Sequence, residues 1–423
     1  MEQLAMNGGP KVRTKPWPER APFGEEEVAL VTQAIRSQNL FAWDGHFVRD
    51  FEKEFAALYG AKYAVGCTSG TASIHLAVGA LDPNPGDEII TAPITDLGSV
   101  VPILLQNCIP IFADVDDTYN MDPDDVERKI TPRTRAIIAV HIFGNACRID
   151  AISEIARKRN LMLIEDTSQA HATKYNGRWL GTWGDVACYS LQQSKHMTTG
   201  DGGMAITNNE ELHRRMWLFS DKGYLRKGVG PRAYEFLAPC YRMNEETAAV
   251  GLPQVKRVRG RVEKRMALGT KLSELISGIA GISPAPVTPG SEHSYWGYPV
   301  GVHEWDATIF AEALKAEGIW AKAGYIGRPI FMCAEACVSK KTYGDSHFPY
   351  DSPYTDRKIE YTEDMCPNVY RMLNQMVMVG FDESYETSDI EDMARGIEKV
   401  ARLLPKRHTP PRGKRRGAPR SKK

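Results

Sequence analysis

Short apolar segments alternate with amphipathic ones from about residue 63 to residue 205, and this alternation constrains the fold more than any other feature. Strands that alternate with helices of about ten residues form a mostly parallel sheet with helices on both faces. Ligands of such sheets bind beyond the carboxyl ends of the strands, where we expect the chemistry. The apolar runs are KYAVG, DEIIT, IPIFADV, RAIIAVHIFG and LMLIED, and the amphipathic ones include TASIHLAVGAL, LGSVVPILLQ, DPDDVERKI and IDAISEIARKRN.

Helical spacing of apolar residues also occurs on both sides of this region. It predicts surface helices from Gly24 and from Phe47, and a long helix from Glu245 to Ile279 that leads away from the alternating region. From about Gly281 the sequence is richer in Pro and Gly before two further helical segments, which predicts a smaller α+β domain. The predicted domains are a large one over residues 1–280, a small one over residues 281–404 and a tail over residues 405–423.

The charges balance overall but not along the chain. Lys plus Arg and Asp plus Glu both number 53, so no global field recruits nucleic acid or an anionic membrane. Nine of the nineteen residues from Pro405 onward are Lys or Arg, interleaved with Pro. A Pro-rich run of like charge buries little apolar surface, so we interpret it as a disordered, solvated tail and expect no nucleic-acid partner.

The cysteines and apolar runs argue against a metal centre and a membrane anchor. The eight cysteines include no CxxC pair and no Cys/His cluster with zinc spacing. Reduced thiols and no metal site are therefore expected. The chain opens without a charged-then-apolar leader, and no apolar run approaches the roughly 20 residues that span a bilayer. We therefore expect a cytoplasmic protein without a membrane partner.

The first strand end that carries possible ligand-binding residues is in CTSGTASIHLAVGAL, from Cys67. A strand is predicted to end at Gly66 and a helix to begin near Thr71, so free N–H groups, a hydroxyl and the positive end of a helix converge. That combination suits a phosphate. Ordinary N-capping by Ser69 or Thr71 explains the hydroxyls equally well.

The second strand end is LMLIEDTSQAHA, where a buried strand runs directly into Glu165 and Asp166. A carboxylate at the end of a central parallel strand loses hydration and needs a cation or strong hydrogen-bond donors to stay ionised. A positive group is therefore expected to face it. The alternative is an aspartate that caps the following turn.

The third strand end is GDVACYSLQQSKHMTTGDGG, from Gly184. Lys195 lies in a polar loop bounded by glycine rather than on a helix face, where a lysine is simply solvated. Desolvation or a nearby cation lowers the pKa of a lysine and makes its amine nucleophilic toward carbonyls. A surface lysine in a flexible loop is the alternative.

A phosphate cradle, a buried acid and a lysine at one sheet edge are the parts that hold pyridoxal phosphate (PLP). The segments EDTSQAHA, GTWGDVACYSLQQSK, TTGDGG and YRMNEETAAVGLPQVKRV closely resemble the DegT/StrS-type sugar and cyclitol aminotransferases, which are PLP enzymes of fold type I. The resemblance runs from about Gly8 to Leu404 and implies an α/β fold of that type.

The resemblance assigns the catalytic roles residue by residue. It implies that Lys195 is the Schiff-base lysine and that Asp166 pairs with the pyridine nitrogen of the cofactor. Gln169 then donates a hydrogen bond to the phenolic oxygen. In this chemistry Asp166 keeps the ring nitrogen protonated, so that the ring can take up negative charge.

The phosphate site follows from the same resemblance. It implies that Gly70, Thr71 and Ser190 hold the phosphate. Members of the family share the site between two subunits, and the YRMNE segment reaches into the neighbouring one, which makes Arg242 the candidate from the neighbouring subunit. A homodimer is implied.

Two positions depart from the family pattern. Asp96, in TAPITDLGS, stands where the family usually places an aromatic residue that stacks on the pyridine ring, and Cys240 stands where Asn commonly precedes Tyr-Arg-Met. A missing stacking contact costs about 1 kcal/mol, too little to prevent binding of a cofactor held by its phosphate and a covalent bond. Asp96 either contacts the substrate or caps the following helix.

The family transfers an amino group from glutamate or glutamine to a small-molecule ketone, either a nucleotide-linked keto-sugar or a free cyclitol. The opening NGGPKVR is similar to that of the cyclitol-type members, such as scyllo-inosose aminotransferases of antibiotic-type biosynthesis. Tyr325 and Arg328, in GYIGRPIF, are candidate acceptor contacts, as are the residues from His293 to Trp296. Ordinary loop packing explains these positions as well.

Three other functions remain to be weighed. Sugar dehydratases of the family replace the lysine by histidine, whereas Lys195 is present here. A non-catalytic PLP-binding regulator would fit the departures at Asp96 and Cys240. A dinucleotide-dependent dehydrogenase would need GxGxxG after the first strand, which this sequence lacks.

Overall fold

The computed structural model describes residues 2–226, 231–355 and 357–407. The predicted basic tail therefore lies almost wholly outside the described residues. Within them, no helix is long and apolar enough to cross a membrane.

The first two thirds of the chain contain the alternation that the sequence predicts. The helices are α1 (Glu25–Arg36), α2 (Phe47–Tyr59), α3 (Gly70–Leu81), α4 (Val101–Leu105), α5 (Pro123–Lys129), α6 (Ile149–Arg159), α7 (Glu210–Ser220) and α8 (Glu245–Ile276). The strands are β1 (Tyr63–Cys67), β2 (Glu88–Thr91), β3 (Ile109–Phe112), β4 (Thr134–Val140), β5 (Met162–Asp166), β6 (Lys174–Tyr175), β7 (Arg178–Trp179), β8 (Val186–Ser190) and β9 (Gly203–Thr207).

A mostly parallel sheet forms the centre of this region, which confirms the predicted α/β fold. Among the described residues it has seven strands in the order β1-β9-β8-β5-β4-β2-β3. Strand β9 is antiparallel to both of its neighbours, and the pairs from β8 through to β3 are parallel. Strands β2, β3, β8 and β9 are buried along their whole length, as expected when helices cover both faces of a sheet.

A second, antiparallel sheet follows α8. Its strands are β10 (Ile282–Ser283), β11 (Tyr298–Val302), β12 (Ala321–Ala323) and β13 (Met376–Val379), in the order β10-β11-β13-β12. The helices of this part are α9 (Ala307–Ala316), α10 (Ile330–Cys333), α11 (Glu335–Val338), α12 (Pro367–Asn374) and α13 (Thr387–Leu403). A domain boundary at residue 281 stays a prediction.

The N-terminal segment packs on the second sheet rather than on the first. Leu4 belongs to the apolar core around that sheet, and the ring of Trp17 lies 4.8 Å from that of Tyr385. The Arg13 guanidinium forms an ion pair of 2.8 Å with Asp389, at the start of α13. These contacts tie the first twenty residues to the part of the chain farthest from them in sequence.

Helix α3 packs so closely against helix α7 that a side chain at one position would overlap its neighbour. A Cβ on Gly79 would lie 2.2 Å from the Phe219 ring of α7, whereas a Cβ on Gly260, in α8, would meet nothing within 4 Å. We expect Gly79→Ala to lower the free energy of unfolding by about 1–3 kcal/mol because the core is overpacked. Gly260→Ala is the matched control and should raise it by about 0.5–1 kcal/mol, because glycine loses more backbone entropy in a helix. Urea unfolding of the two variants measures both effects, and equal stability of the two would contradict the packing described here.

Candidate active site

A cavity of about 440 Å³ lies beyond the carboxyl ends of β1, β5 and β8, where the sequence places its chemistry. All three predicted strand ends contribute to its lining, together with a loop of the second sheet. The predicted site residues that line it are Gly70, Thr71, Asp166, Gln169, Ser190, Lys195 and Tyr325.

The N-terminus of α3 forms one wall of the cavity. Ser69 is the N-cap, and its Oγ accepts a hydrogen bond of 3.0 Å from the N–H of Ala72. A Cβ on Gly70 would lie 2.6 Å from the Cβ of Ser190, so β8 and the start of α3 touch at a position without a side chain. Because Ser69 provides the cap, the Thr71 hydroxyl and the first N–H groups of the helix stay available to an anion.

The two acidic residues at the end of β5 face opposite ways, as alternate strand residues do. Glu165 points away from the cavity and accepts hydrogen bonds from the N–H groups of three residues, Gly181, Trp183 and Gly184. Asp166 lines the cavity.

The Asp166 carboxylate is fixed by two neutral donors. Its Oδ2 accepts from the Ser99 hydroxyl at 2.7 Å, and its Oδ1 accepts from the N–H of Ser168 at 3.1 Å. The second contact is the turn-capping contact weighed in the sequence analysis. Asp166 therefore fixes the local turn and also presents a buried carboxylate to the cavity.

Lys195 is the positive group that faces this carboxylate. Its Nζ lies in the same cavity, 4.2 Å from the centre of the Trp296 ring. Burial lowers the pKa of Lys195 to about 8, while the negative charges of Asp166 and Asp96 act in the opposite direction. At pH 7 about one tenth of such an amine is unprotonated, roughly three hundredfold more than for an ordinary lysine. The alternative of a solvated surface lysine does not describe this position.

Gln169 joins β5 to the second sheet. Its Oε1 accepts from the N–H of Phe143 at 2.8 Å, so its amide nitrogen is the end directed to the cavity, where it lies 3.2 Å from the Tyr325 hydroxyl. The Tyr325 ring packs edge-on against Phe143 at 5.1 Å. Burial, together with the charge of Asp96, raises the pKa of Tyr325 to about 12, so it is a neutral hydroxyl at physiological pH.

Asp96 fills one of the two roles weighed for it, the helix cap. Its Oδ1 accepts from the N–H of Gly98 at 2.8 Å, which caps the short helical turn Leu97–Ser99. Its side chain is also exposed to the cavity that holds Lys195. The cap is therefore observed, and a contact between Asp96 and substrate stays a prediction.

Three buried histidines support the walls of the cavity. His171 contacts the carbonyl oxygen of Ser190 through Nε2 at 2.9 Å, and His196 contacts that of Ser294 at 3.0 Å. His141 lies 3.2 Å from Glu165. Burial lowers the pKa of His171 to about 4, which makes it a neutral group.

Two predicted arginines lie outside the cavity lining. Arg242 forms an ion pair with Asp221 and lines a separate cavity of about 760 Å³ next to Trp43 and Trp217. Its contact with a neighbouring subunit stays a prediction. Arg328 is exposed, and its contact with an acceptor likewise stays a prediction.

The donor set of the cavity fits PLP. A helix N-terminus with hydroxyls suits its phosphate, a buried carboxylate suits its ring nitrogen, and an amine of lowered pKa suits its aldehyde. The Gly70 position supports this fit, because the absence of a side chain lets the helix N-terminus approach Ser190 closely enough for both to face one anion. Among the described residues, no group of three His, Cys, Asp or Glu side chains could hold a metal ion.

Comparison with known proteins agrees with this geometry. Residues 22–358 match the model of the DegT/DnrJ/EryC1/StrS aminotransferase family. The chain belongs to this family. As a member of the DegT/DnrJ/EryC1/StrS aminotransferases, it is a PLP-dependent aminotransferase.

Two relatives and one solved structure illustrate the range of the family. L-glutamine:2-deoxy-scyllo-inosose aminotransferase of Streptomyces kanamyceticus is 33% identical over 423 residues, covering 94% of this chain and 96% of that protein. GDP-perosamine synthase of Caulobacter vibrioides is 35% identical over 292 residues, covering 68% and 76%. The crystal structure of S. venezuelae DesV in complex with a ketimine intermediate superposes with a TM-score of 0.80 at 25% identity, covering 90% of this chain and 95% of DesV.

The close contact at Gly70 provides a test of the proposed phosphate site. We expect Gly70→Ala to weaken PLP binding at least about tenfold, because the added methyl group meets Ser190 and pushes apart the two elements that face the phosphate. Equilibrium dialysis measures the affinity. Gly260→Ala is the matched control and should bind PLP as the wild type does. Unchanged affinity of the Gly70 variant would place the phosphate elsewhere.

Proposed function

We propose that the protein transfers the amino group of L-glutamine or L-glutamate to a keto-sugar or cyclitol ketone, in amino-sugar or aminocyclitol biosynthesis of the antibiotic type. The observation that carries this proposal is the Lys195 amine, buried in one cavity with the Asp166 carboxylate. The acceptor class is supported by the relatives whose names contain scyllo-inosose and perosamine.

Different residues of the cavity would bind different parts of the cofactor. Gly70, Thr71 and Ser190 would bind its phosphate, and Asp166 its ring nitrogen. The Gln169 amide would donate to its phenolic oxygen. When bound, PLP supplies an electron-poor ring that takes up the electron pair of a C–H bond next to nitrogen.

Lys195 would carry the proton. Its lowered pKa lets the amine act both as a nucleophile toward a carbonyl and, once displaced by the donor amine, as the base that removes a proton from the donor α-carbon. Its protonated form would pass that proton to the cofactor carbon that carries the transferred nitrogen, and the second half of the cycle would run the same transfer in reverse, onto the acceptor carbon. Trp296 covers the amine from the side of the second sheet and limits the access of water, and Tyr325 lines the same cavity.

A nucleotide-linked keto-sugar is the second candidate acceptor. It is favoured by the 35% identity to GDP-perosamine synthase, whereas the cyclitol is favoured by a relative that covers 94% of this chain. A non-catalytic regulator is disfavoured by the placement of Lys195 and Asp166 in one cavity, since a binding module needs no amine of lowered pKa there.

A substrate screen tests the proposed acceptor. The protein is loaded with pyridoxamine phosphate and mixed with cyclitol ketones or with nucleotide keto-sugars, and the return of the aldehyde-form absorbance is followed. We expect 2-deoxy-scyllo-inosose-type ketones to restore it and Lys195→Ala to show no turnover. The control Lys158→Ala, which removes an exposed lysine paired with Glu154, should react as the wild type does.

Two other outcomes of the screen would change the proposed acceptor or contradict the proposed function. Restoration by nucleotide keto-sugars alone would replace the cyclitol by the second candidate. A protein that restores its absorbance with neither class, and releases no keto acid from glutamine or glutamate, would contradict the proposed function.

We further propose a homodimer in which each active site is completed by Arg242 of the other subunit. Support comes from the resemblance to family members with shared sites and from the position of Arg242 in a neighbouring cavity, where its backbone pairs with Cys67 at the end of β1. A cytoplasmic location stays a prediction.

Subunit complementation tests this arrangement. We expect Lys195→Ala and Arg242→Ala to be inactive or nearly so by themselves. Mixed after dissociation, they should regain about one quarter of wild-type activity, because half of the dimers are hybrids and each hybrid contains one intact site. No recovery, with hybrid dimers shown by mass, would place Arg242 in the site of its own subunit or outside any site.

A further inference from the structure

The loop that carries Lys195 is tethered through four consecutive carbonyl oxygens, from residue 193 to residue 196. Each accepts a hydrogen bond from a long side chain that belongs to another part of the chain. The donors are Arg20 to Gln193 (2.7 Å), Trp296 to Ser194 (3.0 Å), Arg20 to Lys195 (2.7 Å) and Arg261 to His196 (3.2 Å).

Arg20 provides two of these four bonds from a single guanidinium group. Its Nη1 and Nη2 reach the carbonyls on either side of Ser194, a geometry that the planar fork of arginine provides and a lysine ammonium does not. Its Nε donates to Glu383 at 2.8 Å. Every nitrogen of the Arg20 side chain is therefore engaged, and the side chain is only 14% exposed.

Glu383 holds Arg20 from the second sheet. The carboxylate lies between Arg20 and the fully buried Arg265 of α8, which binds it at 2.7 Å and also donates to the carbonyl of Tyr295. Burial raises the pKa of Glu383, but Arg265 and Arg20 outweigh it and hold the net pKa below the usual value, so the group is a carboxylate. The network joins the N-terminal segment, α8 and the turn before α13.

The N-terminal segment is itself positioned for this contact. The Trp17 indole donates to the carbonyl of Gly318 at 2.9 Å, and the Ser384 hydroxyl lies 3.3 Å from the carbonyl of Pro18. The prolines at positions 16 and 18 restrict the backbone in between. Arg20 thus reaches the lysine loop from a segment fixed on the second sheet.

We propose that Arg20 is a positioning residue for Lys195. It holds the lysine loop so that the amine stays in the cavity between Asp166 and Trp296. Arg20 touches neither substrate nor cofactor in this proposal. It acts through the backbone of the loop. The inference rests on the proposed role of Lys195 as the reactive amine.

Loss of this tether has a measurable consequence for the lysine. Burial is the main cause of the lowered pKa of Lys195, and the negative charges of Asp166 and Asp96 act against it. The nearby His171 is neutral and therefore adds no charge. An untethered loop lets water reach the amine, so the pKa of Lys195 should rise from about 8 toward its ordinary 10.5. Each unit of that rise lowers the free-amine fraction at pH 7 about tenfold.

The test measures the Lys195 amine itself in the cofactor-free protein. Trace acetylation over a pH series, followed by peptide mass mapping, yields the apparent pKa of Lys195 in the wild type and in Arg20→Ala and Arg20→Lys. We expect a rise of at least one unit in Arg20→Ala and a smaller rise in Arg20→Lys, which keeps the charge near Glu383 and loses the fork. Arg402→Ala, which removes an exposed arginine paired with Glu2, is the control and should leave the pKa unchanged.

A purely structural role of Arg20 gives a different result. In that case the variants unfold at lower temperature while folded Arg20→Ala keeps the wild-type pKa of Lys195, and this outcome overturns the proposal. If Arg20→Ala does not fold, Arg20→Lys decides by the same criterion. Failure of the proposed function would be seen separately, because in that case the wild-type protein itself would not bind PLP through Lys195.

Discussion

The structure depends on one electrostatic arrangement, an amine taken out of water beside a carboxylate that is hydrogen-bonded by neutral groups. Removal from water favours the neutral form of Lys195, and the charge of Asp166 favours the protonated form. The first effect is larger, so the amine titrates near pH 8 rather than above 10. The nucleophilic and basic roles proposed for the lysine both require this balance. The other residues of the site maintain this balance between burial and charge at Lys195.

The parts that maintain it come from distant segments of the chain. Asp166 is oriented by Ser99, the amine is covered by Trp296, and the loop backbone is tied to Arg20. Asp96, at the position where the resemblance to the family leads one to expect an aromatic residue, adds a further carboxylate to the lining of the cavity. The charge of Asp96 opposes the effect of burial on the pKa of Lys195 and adds to the effect of burial on the pKa of Tyr325, so Asp96 contributes to the electrostatics of the site.

The sequence predicts the large elements and the three strand ends because their signals are local. Apolar runs, helical spacing and the Gly-Thr and Glu-Asp steps at strand ends identify the parallel sheet and bring Thr71, Asp166 and Lys195 to one edge. The direction of β9 is not encoded in an apolar run. The amphipathic segment LGSVVPILLQ is divided at Val100 into a short helical turn and α4. Ser99 and Arg20 could not be predicted, because their partners lie 67 and 175 residues away in sequence and neither position has a motif of its own. Arg20 in particular lies in an extended, proline-containing segment without periodicity.

The central claim is tested most directly by the site of the covalent bond. The protein is incubated with PLP, reduced with borohydride and digested, and the labelled peptide is identified by mass. The account predicts a single phosphopyridoxyl group on Lys195 that is lost in Lys195→Ala. A label on any other lysine, or a reduced protein without label, would contradict it.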